Sequence, residues 1–374
     1  MGDDVEVSII VPIKNGEAFL DELFESIVAQ TALRHLSIEV VLYNDCSTDG
    51  TAGMITQWVP RLQEAGLRTT ASHNTDGHSG GVGCAKNRAV ALSRGRFLCF
   101  QDADDIMKNE RIEKQHAAAQ HLQWSIVGSR FERWPPGSTG RYAEWLNSLG
   151  PESVYTQRFR ECPVAMPTWF CHRQVFDRVG GFTDAERAAP EDLIFLYQHL
   201  RQGGGLHVVD QCLLTYRYHP ECTSFRVDAR DIWDVRVREF ELCVLDHWRA
   251  FGIWNVGREG KRLLRSLSLN NRRKVHAFYD VDPVKLARVV YVDKDDNNRR
   301  IPILHWTALR AMTRTRPPSS PSAEPPPLVT PEGKVNVGAL KLVTCVKYML
   351  TGGEFESYLS SLELEEGVDY FHFS

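Results

Sequence analysis

Phe97-Leu98-Cys99-Phe100-Gln101-Asp102-Ala103-Asp104-Asp105 decides how this chain reads. Four apolar residues make a short buried strand, and a run of aspartates follows at its exit. Like charges that close repel unless a cation or tight solvation compensates. Ligands made only of oxygen favour Mg²⁺ or Mn²⁺ over zinc. A solvated turn would carry the same letters, so the flanking sequence has to choose.

Working outward toward the N-terminus, the same strand-to-loop pattern recurs. Val5-Glu6-Val7-Ser8-Ile9-Ile10-Val11-Pro12 is apolar, β-branched and stopped by proline, which predicts a buried strand. Lys14-Asn15-Gly16-Glu17 then makes a turn. Ala18 to Gln30 carries Phe19, Leu20, Leu23, Phe24, Ile27 and Val28 at helical spacing. A second strand, Ile38 to Tyr43, enters the turn-rich segment Asn44-Asp45-Cys46-Ser47-Thr48-Asp49-Gly50-Thr51. That segment caps a helix whose apolar face is Met54, Ile55, Trp58 and Val59. A third pass runs through Arg68 to Ser72, the glycine-rich stretch 77–83 and a helix near 84–93, and ends in the strand before Asp102. Alternation of this kind predicts an α/β fold with a parallel sheet, and such sheets bind ligands at the carboxyl ends of their strands. Asp45 and the acids at 102–105 both fall there.

In this order the segments resemble the inverting glycosyltransferases of family two, which have the glycosyltransferase A fold and use nucleotide-sugar donors. Val11 to Glu17 is similar to the family's opening strand and turn, and Asn44 to Thr51 to its nucleotide loop. Ala85-Lys86-Asn87 with Arg88-Ala89 resembles its small-basic-asparagine helix start, and Asp102-Ala103-Asp104-Asp105 its metal motif. Gly180-Gly181-Phe182 and then Pro190-Glu191-Asp192-Leu193 resemble its acceptor-side segment. Five motifs in one order are far more specific than any one alone, and they span roughly residues 5–225. Departures are Asn44 and Cys46, where aspartate and glycine are more usual, and Lys86, where arginine is frequent. Lysine keeps the charge but loses the planar fork.

The resemblance implies a metal-dependent transfer from a UDP-sugar, with N-acetylglucosamine as the sugar, to an acceptor hydroxyl, and a Mn²⁺ or Mg²⁺ cofactor. It assigns Asp104 and Asp105 to the metal, with His219 of Tyr216-Arg217-Tyr218-His219-Pro220 as a further ligand or simply a packed histidine. Pro12, Asn15, Glu17, Asp45, Lys86, Asn87 and Asp102 fall to the donor, Asp45 as the uracil or ribose partner. Which acid touches metal and which touches ribose stays open. Asp192 is the expected base for the acceptor, with Glu191 beside it. Both residues open an apolar helix, where negative charge is favourable in any case. A non-catalytic nucleotide-sugar sensor or scaffold is the alternative.

Composition agrees with an enzyme in a reducing compartment. The formal net charge of −4 offers nucleic acid no attraction. No stretch approaches the roughly 20 apolar residues that span a bilayer. The acidic start predicts no secretory signal, and Glu6 stands where a myristoylation signal needs Ser or Thr. Nine cysteines without zinc-type spacing read as free thiols, and the expected location is cytoplasmic.

Residues 1–230 read as the catalytic domain. A helical connector follows at 231–250, with Ile232, Val235, Val237, Phe240, Val244 and Leu245 on its apolar face. Residues 251–374 read as a smaller Rossmann-like domain. Trp254-Asn255-Val256-Gly257-Arg258-Glu259-Gly260 leads into a helix with Leu263, Leu264 and Leu267, and Asp280 ends the strand Val275 to Tyr279. This resembles a dinucleotide fingerprint with Asn255 in the first glycine's place, which predicts the fold without strong cofactor affinity and disfavours a dehydrogenase. Strands at 301–305 and 341–347 and a helix near 354–361 complete it. A Pro/Ser-rich loop is expected at 316–333. The basic run from Arg258 to Lys274 reads as a solvated face.

Overall fold

The computed structural model describes residues 4–184, 189–222, 225–313, 340–347 and 351–373. Two compact units emerge, residues 1–154 with 162–232, and residues 155–161 with 233–374. The Pro/Ser-rich segment 316–333 lies outside the described residues.

The first unit is built on an eight-stranded sheet. Its strands are β1 (Val7–Ile13), β2 (Ile38–Asn44), β3 (Arg68–His73), β4 (Phe97–Phe100), β5 (Ile106–Met107), β6 (Ser125–Trp134), β7 (Phe170–His172) and β8 (Gly205–Arg217), in the order β3-β2-β1-β4-β7-β6-β8-β5. β1 and β2 are buried along their whole length because their β-branched residues face helices on both sides. The helix Leu20–Val28 turns Leu20, Leu23, Phe24 and Ile27 inward, and the helix Thr51–Glu64 adds Ile55, Trp58 and Leu62. These side chains share one core with Ile9, Val11, Val40 and Cys99.

Strands β1 to β4 pair in parallel, with Ile10 opposite Phe100 and Ile13 opposite Asn44. The parallel reading, made for the strands up to Asp102, holds through β4, and beyond it the sheet is mixed. There β7 runs antiparallel to both β4 and β6, and β5 runs antiparallel to β8. The alternation that suggested parallel strands ends near residue 105. The later half enters the sheet through the three-residue β7 and the polar β6, which carry no such signal. From β1 the chain passes to β2 and β3 on one side and to β4 on the other. The carboxyl ends of β1 and β4 therefore meet at the strand-order reversal, where an open α/β sheet leaves a crevice.

The second unit carries a six-stranded sheet of β9 (Phe251–Trp254), β10 (Val275–Asp280), β11 (Val290–Asp293), β12 (Arg299–His305), β13 (Leu342–Thr344) and β14 (Tyr370–His372), ordered β11-β12-β10-β9-β13-β14. All but β11 run parallel. Phe240, Ile253, Leu263, Phe278, Val343 and Phe373 fill one face. At Gly260 a Cβ would stand 1.9 Å from the Asn255 carbonyl oxygen, so the strand-to-helix crossing itself requires the glycine. Among the described residues no helix is long and apolar enough to cross a membrane.

Candidate active site

The crevice at β1 and β4 is lined by loops that brace one another. After β1, Asn15 adopts a left-handed φ of 52°. Its backbone N–H donates to Ser47 Oγ at 2.8 Å, and its Oδ1 accepts from the Thr48 N–H at 2.8 Å. Glu17 Oε2 accepts the Gly50 N–H at 2.8 Å, while the Glu17 N–H donates to Asp49 Oδ2 at 3.0 Å. Pro12 is buried in β1 opposite Tyr43. Pro12, Asn15 and Glu17 thus set the shape of the turn that faces the β2 loop.

Asp45, 3% exposed, sits just past β2. Its Oδ1 accepts from Asn74 Nδ2 at 2.8 Å and from the Gly80 N–H at 3.1 Å. Its Oδ2 accepts from Ser79 Oγ at 2.5 Å and from the Gly81 N–H at 3.2 Å. Burial pushes this carboxyl up, but the hydrogen bonds outweigh it and hold Asp45 below the usual carboxylate range. The carboxylate therefore anchors the glycine-rich stretch at 77–83.

The acids after β4 are shaped from behind by Arg111, which is fully buried. Its guanidinium donates to Gln101 Oε1, to the carbonyls of Phe100 and Pro167, and to Gln115 Oε1. Gln101 Nε2 in turn donates to the carbonyls of Asp102 and Asp105, closing the loop around its own side chain. Carboxylate oxygens of Asp102, Asp104 and Asp105 lie within 4.8 Å of one another. Asp105 Oδ1 accepts the Arg217 N–H at 2.8 Å, whereas its Oδ2 is buried with no hydrogen-bond partner. Burial, then the charges of Asp104 and Asp102, push Asp105 well above the usual range. Burial raises Asp102 to about 6, with Lys86 opposing and Asp104 and Glu191 adding. Asp104 Oδ2 lies 2.8 Å from His219 Nε2, a contact that raises the imidazole. An orphaned buried carboxylate oxygen amid mutually repelling acids is the donor set that a hard divalent cation fits.

Lys86 and Asn87 leave the helix Val82–Leu92 in different directions. Lys86, 2% exposed, places its ammonium 2.9 Å from Glu191 Oε1, 3.1 Å from Met166 Sδ and over the Phe182 ring. Burial pulls that ammonium down, but Glu191, Asp102 and Asp192 outweigh it and hold it above its ordinary value. The side chain is directed inward at a carboxylate, where the sequence suggested a base or phosphate contact. Asn87 clamps the Gly181-Phe182 turn: Oδ1 accepts the Phe182 N–H and Nδ2 donates to the Phe182 carbonyl, each at 2.8 Å. Gly181 has φ +89°, and a Cβ there would come within 2.9 Å of Asn87 Oδ1.

Glu191 and Asp192 open the helix Glu191–Arg201, as the apolar pattern predicted. Asp192 is half-buried, and its Oδ1 accepts the Leu193 N–H at 2.7 Å. Burial first, and then the neighbouring charge of Glu191, push its carboxyl up to about 6, against the pull of Lys86.

Sequence reasoning missed Arg111 and Cys222. Arg111 lies in the polar segment after the acids, and nothing local marks it as buried. Cys222 stands beside Asp104 and His219. The signal that could have found it is the spacing His219-Pro220-Glu221-Cys222, because a turn brings residues three apart to one side.

Residues 8–180 match the model of Glycosyl transferase family 2. The glycosyltransferase GlyG of Streptococcus pneumoniae serotype 4 is 30% identical over 64% of this chain and 81% of its own length. The uncharacterized glycosyltransferase EpsJ of Bacillus subtilis is 25% identical over 57% of this chain, which spans only 61% of that protein. Among solved structures, TarS 1–349 of S. aureus in complex with UDP-GlcNAc aligns with a TM-score of 0.50 and 18% identity, covering 71% of each chain. That likeness gives the fold, glycosyltransferase A.

Proposed function

The chain belongs to glycosyl transferase family 2, and on that premise we propose that it moves N-acetylglucosamine from UDP-N-acetylglucosamine to an acceptor hydroxyl with inversion, using Mn²⁺ or Mg²⁺. The observation that carries the metal-dependent reading is the convergence of Asp102, Asp104 and Asp105, with one buried oxygen left unpartnered, at the strand-order reversal. The named complex of TarS supports the choice of donor.

Asp104, Asp105 and His219 would hold the ion, with Asp102 shared between it and the donor ribose. When bound, the cation neutralises charge on the departing diphosphate. The turn carrying Pro12, Asn15 and Glu17, the Asp45-anchored loop and the start of the Asn87 helix shape the donor's seat. Asp192 accepts the acceptor's hydroxyl proton as the new bond to the sugar's anomeric carbon forms and the bond to the diphosphate breaks. Glu191 raises the proton affinity of Asp192 and Lys86 lowers it. A carboxyl near 6 suits a base that works close to neutral pH. Lys86 and Glu191 thus act on the base in opposite senses.

A thermal-shift screen of nucleotide sugars, with and without Mn²⁺, tests this reading. UDP-N-acetylglucosamine should raise the melting temperature, and only with the metal present. Equal shifts without metal would remove the cation from the account, and no shift with any donor would remove the function.

A further inference from the structure

Overlapping the acid cluster, the structure holds a second donor set that adds a sulfur. Asp104, His219 and Cys222 offer a carboxylate oxygen, an imidazole nitrogen and a sulfur that lie within 4.8 Å of one another. The turn His219-Pro220-Glu221-Cys222 brings two of them together. The Cys222 N–H donates to the His219 carbonyl at 3.1 Å, and the His219 N–H lies 3.3 Å from Cys222 Sγ. The Phe19 ring, 4.7 Å from the imidazole, packs against its face. His219 Nε2 already points at Asp104 Oδ2, 2.8 Å away.

We propose that Asp104, His219 and Cys222 form a site for a thiophilic divalent ion, zinc, which overlaps the Mn²⁺ or Mg²⁺ set and differs from it by the Cys222 sulfur. Oxygen, nitrogen and sulfur together match zinc, which binds them at about 2.0–2.3 Å in a tetrahedron with room for a water in the fourth position. Mg²⁺ and Mn²⁺ select oxygen ligands and gain little from a thiol. As zinc binds, the Cys222 thiol releases its proton to solvent and the imidazole coordinates through Nε2 in its neutral form. Asp104 and His219 belong to both sets, so zinc at this site withdraws two ligands from the cation proposed above. Zinc should therefore antagonise Mn²⁺-dependent donor binding. That last consequence rests on the metal reading proposed above; the zinc site itself does not.

The test uses the full chain without nucleotide, so that it stands or falls apart from the donor reading. Cd²⁺ serves as a spectroscopic stand-in, read by its sulfur-to-metal charge-transfer absorption, with Zn²⁺ as competitor. The parent should develop the band at one equivalent, Zn²⁺ should abolish it, and Cys222→Ser should lose it. His219→Gln should weaken binding by about tenfold or more. Mass spectrometry of alkylated peptides gives a check on the unaltered protein: Zn²⁺ should shield Cys222 from iodoacetamide while Mg²⁺ does not. A band that persists undiminished in Cys222→Ser, or an alkylation rate at Cys222 unchanged by zinc, would overturn the proposal.

Discussion

Lys86 and Glu191 form an ion pair of 2.9 Å with side chains only 2% and 11% exposed. The pair ties the helix Val82–Leu92 to the start of the helix Glu191–Arg201, one residue from the proposed base. Breaking a buried pair from one side strands the other charge, at a cost of about 3–5 kcal/mol. Lys86→Met should therefore destabilise the protein by that order in urea denaturation, and Lys86→Met with Glu191→Leu should recover much of the loss. Equal destabilisation by the single and double variants would show that the charge left behind is not what costs stability.

Asp45 should matter first as an anchor. Asp45→Ala leaves Ser79, Asn74 and the N–H groups of Gly80 and Gly81 without their acceptor, and about 1–3 kcal/mol is the usual cost for each such group that stays buried. Hydrogen exchange should show faster exchange at 77–83 in this variant, with strands β1 and β2 unchanged. Parent-like protection across 77–83 would contradict the anchoring role.

The pH dependence of stability has a definite sign. Asp192 is raised from 3.8 to about 6 in the folded protein, so the folded state holds that proton more tightly than the unfolded one. Its contribution is full below 3.8 and is lost as pH rises toward about 6. Asparagine does not titrate. In metal-free protein, Asp192→Asn should thus lose less stability than the parent as pH climbs through that interval, measured by melting temperature. Parallel curves for parent and variant would contradict the raised carboxyl.

The second unit should not hold a dinucleotide. Asp280 Oδ2 accepts the Val256 N–H at 2.9 Å, Oδ1 accepts the N–H groups of Val281 and Asp282, and Lys285 pairs with the same carboxylate. Asn255 Oδ1 accepts the Gly257 N–H, and its Nδ2 donates to the Cys345 carbonyl, both at 2.7 Å. Groups that a fingerprint turns toward the cofactor are here bonded to one another. Micromolar NAD or NADP should give no thermal shift, and saturable binding lost in Asp280→Ala would contradict this.

Much of the first sheet was legible because β4 is a continuous apolar run and β1 and β2 are near-continuous ones, broken by Ser8 and Glu39, and burial on both faces demands such runs. The second half was not. β7 is three residues long and joins the sheet antiparallel through long-range pairing that no local pattern encodes. Sequence placed Asp45 and the acids just past strand ends and Asp192 at a helix start, where the structure has them. For Lys86, a lysine at a helix start reads as a phosphate contact, and only the fold reveals the Glu191 carboxylate beside its ammonium. Cys222 is tied to His219 by local spacing, but its third partner Asp104 is far away in sequence and only folding brings it within reach.

Asp192 is proposed as the base of a transferase whose donor site is built by other residues. The direct measurement is UDP release in Mn²⁺ by parent and Asp192→Asn, with donor affinity measured in parallel by calorimetry. Asparagine keeps the shape and hydrogen-bonding capacity while losing proton affinity. Donor affinity should stay within a few-fold while turnover falls by ~10²–10⁴. Near-parent turnover in Asp192→Asn, with donor affinity collapsed, would show that Asp192 holds the donor and is not the base.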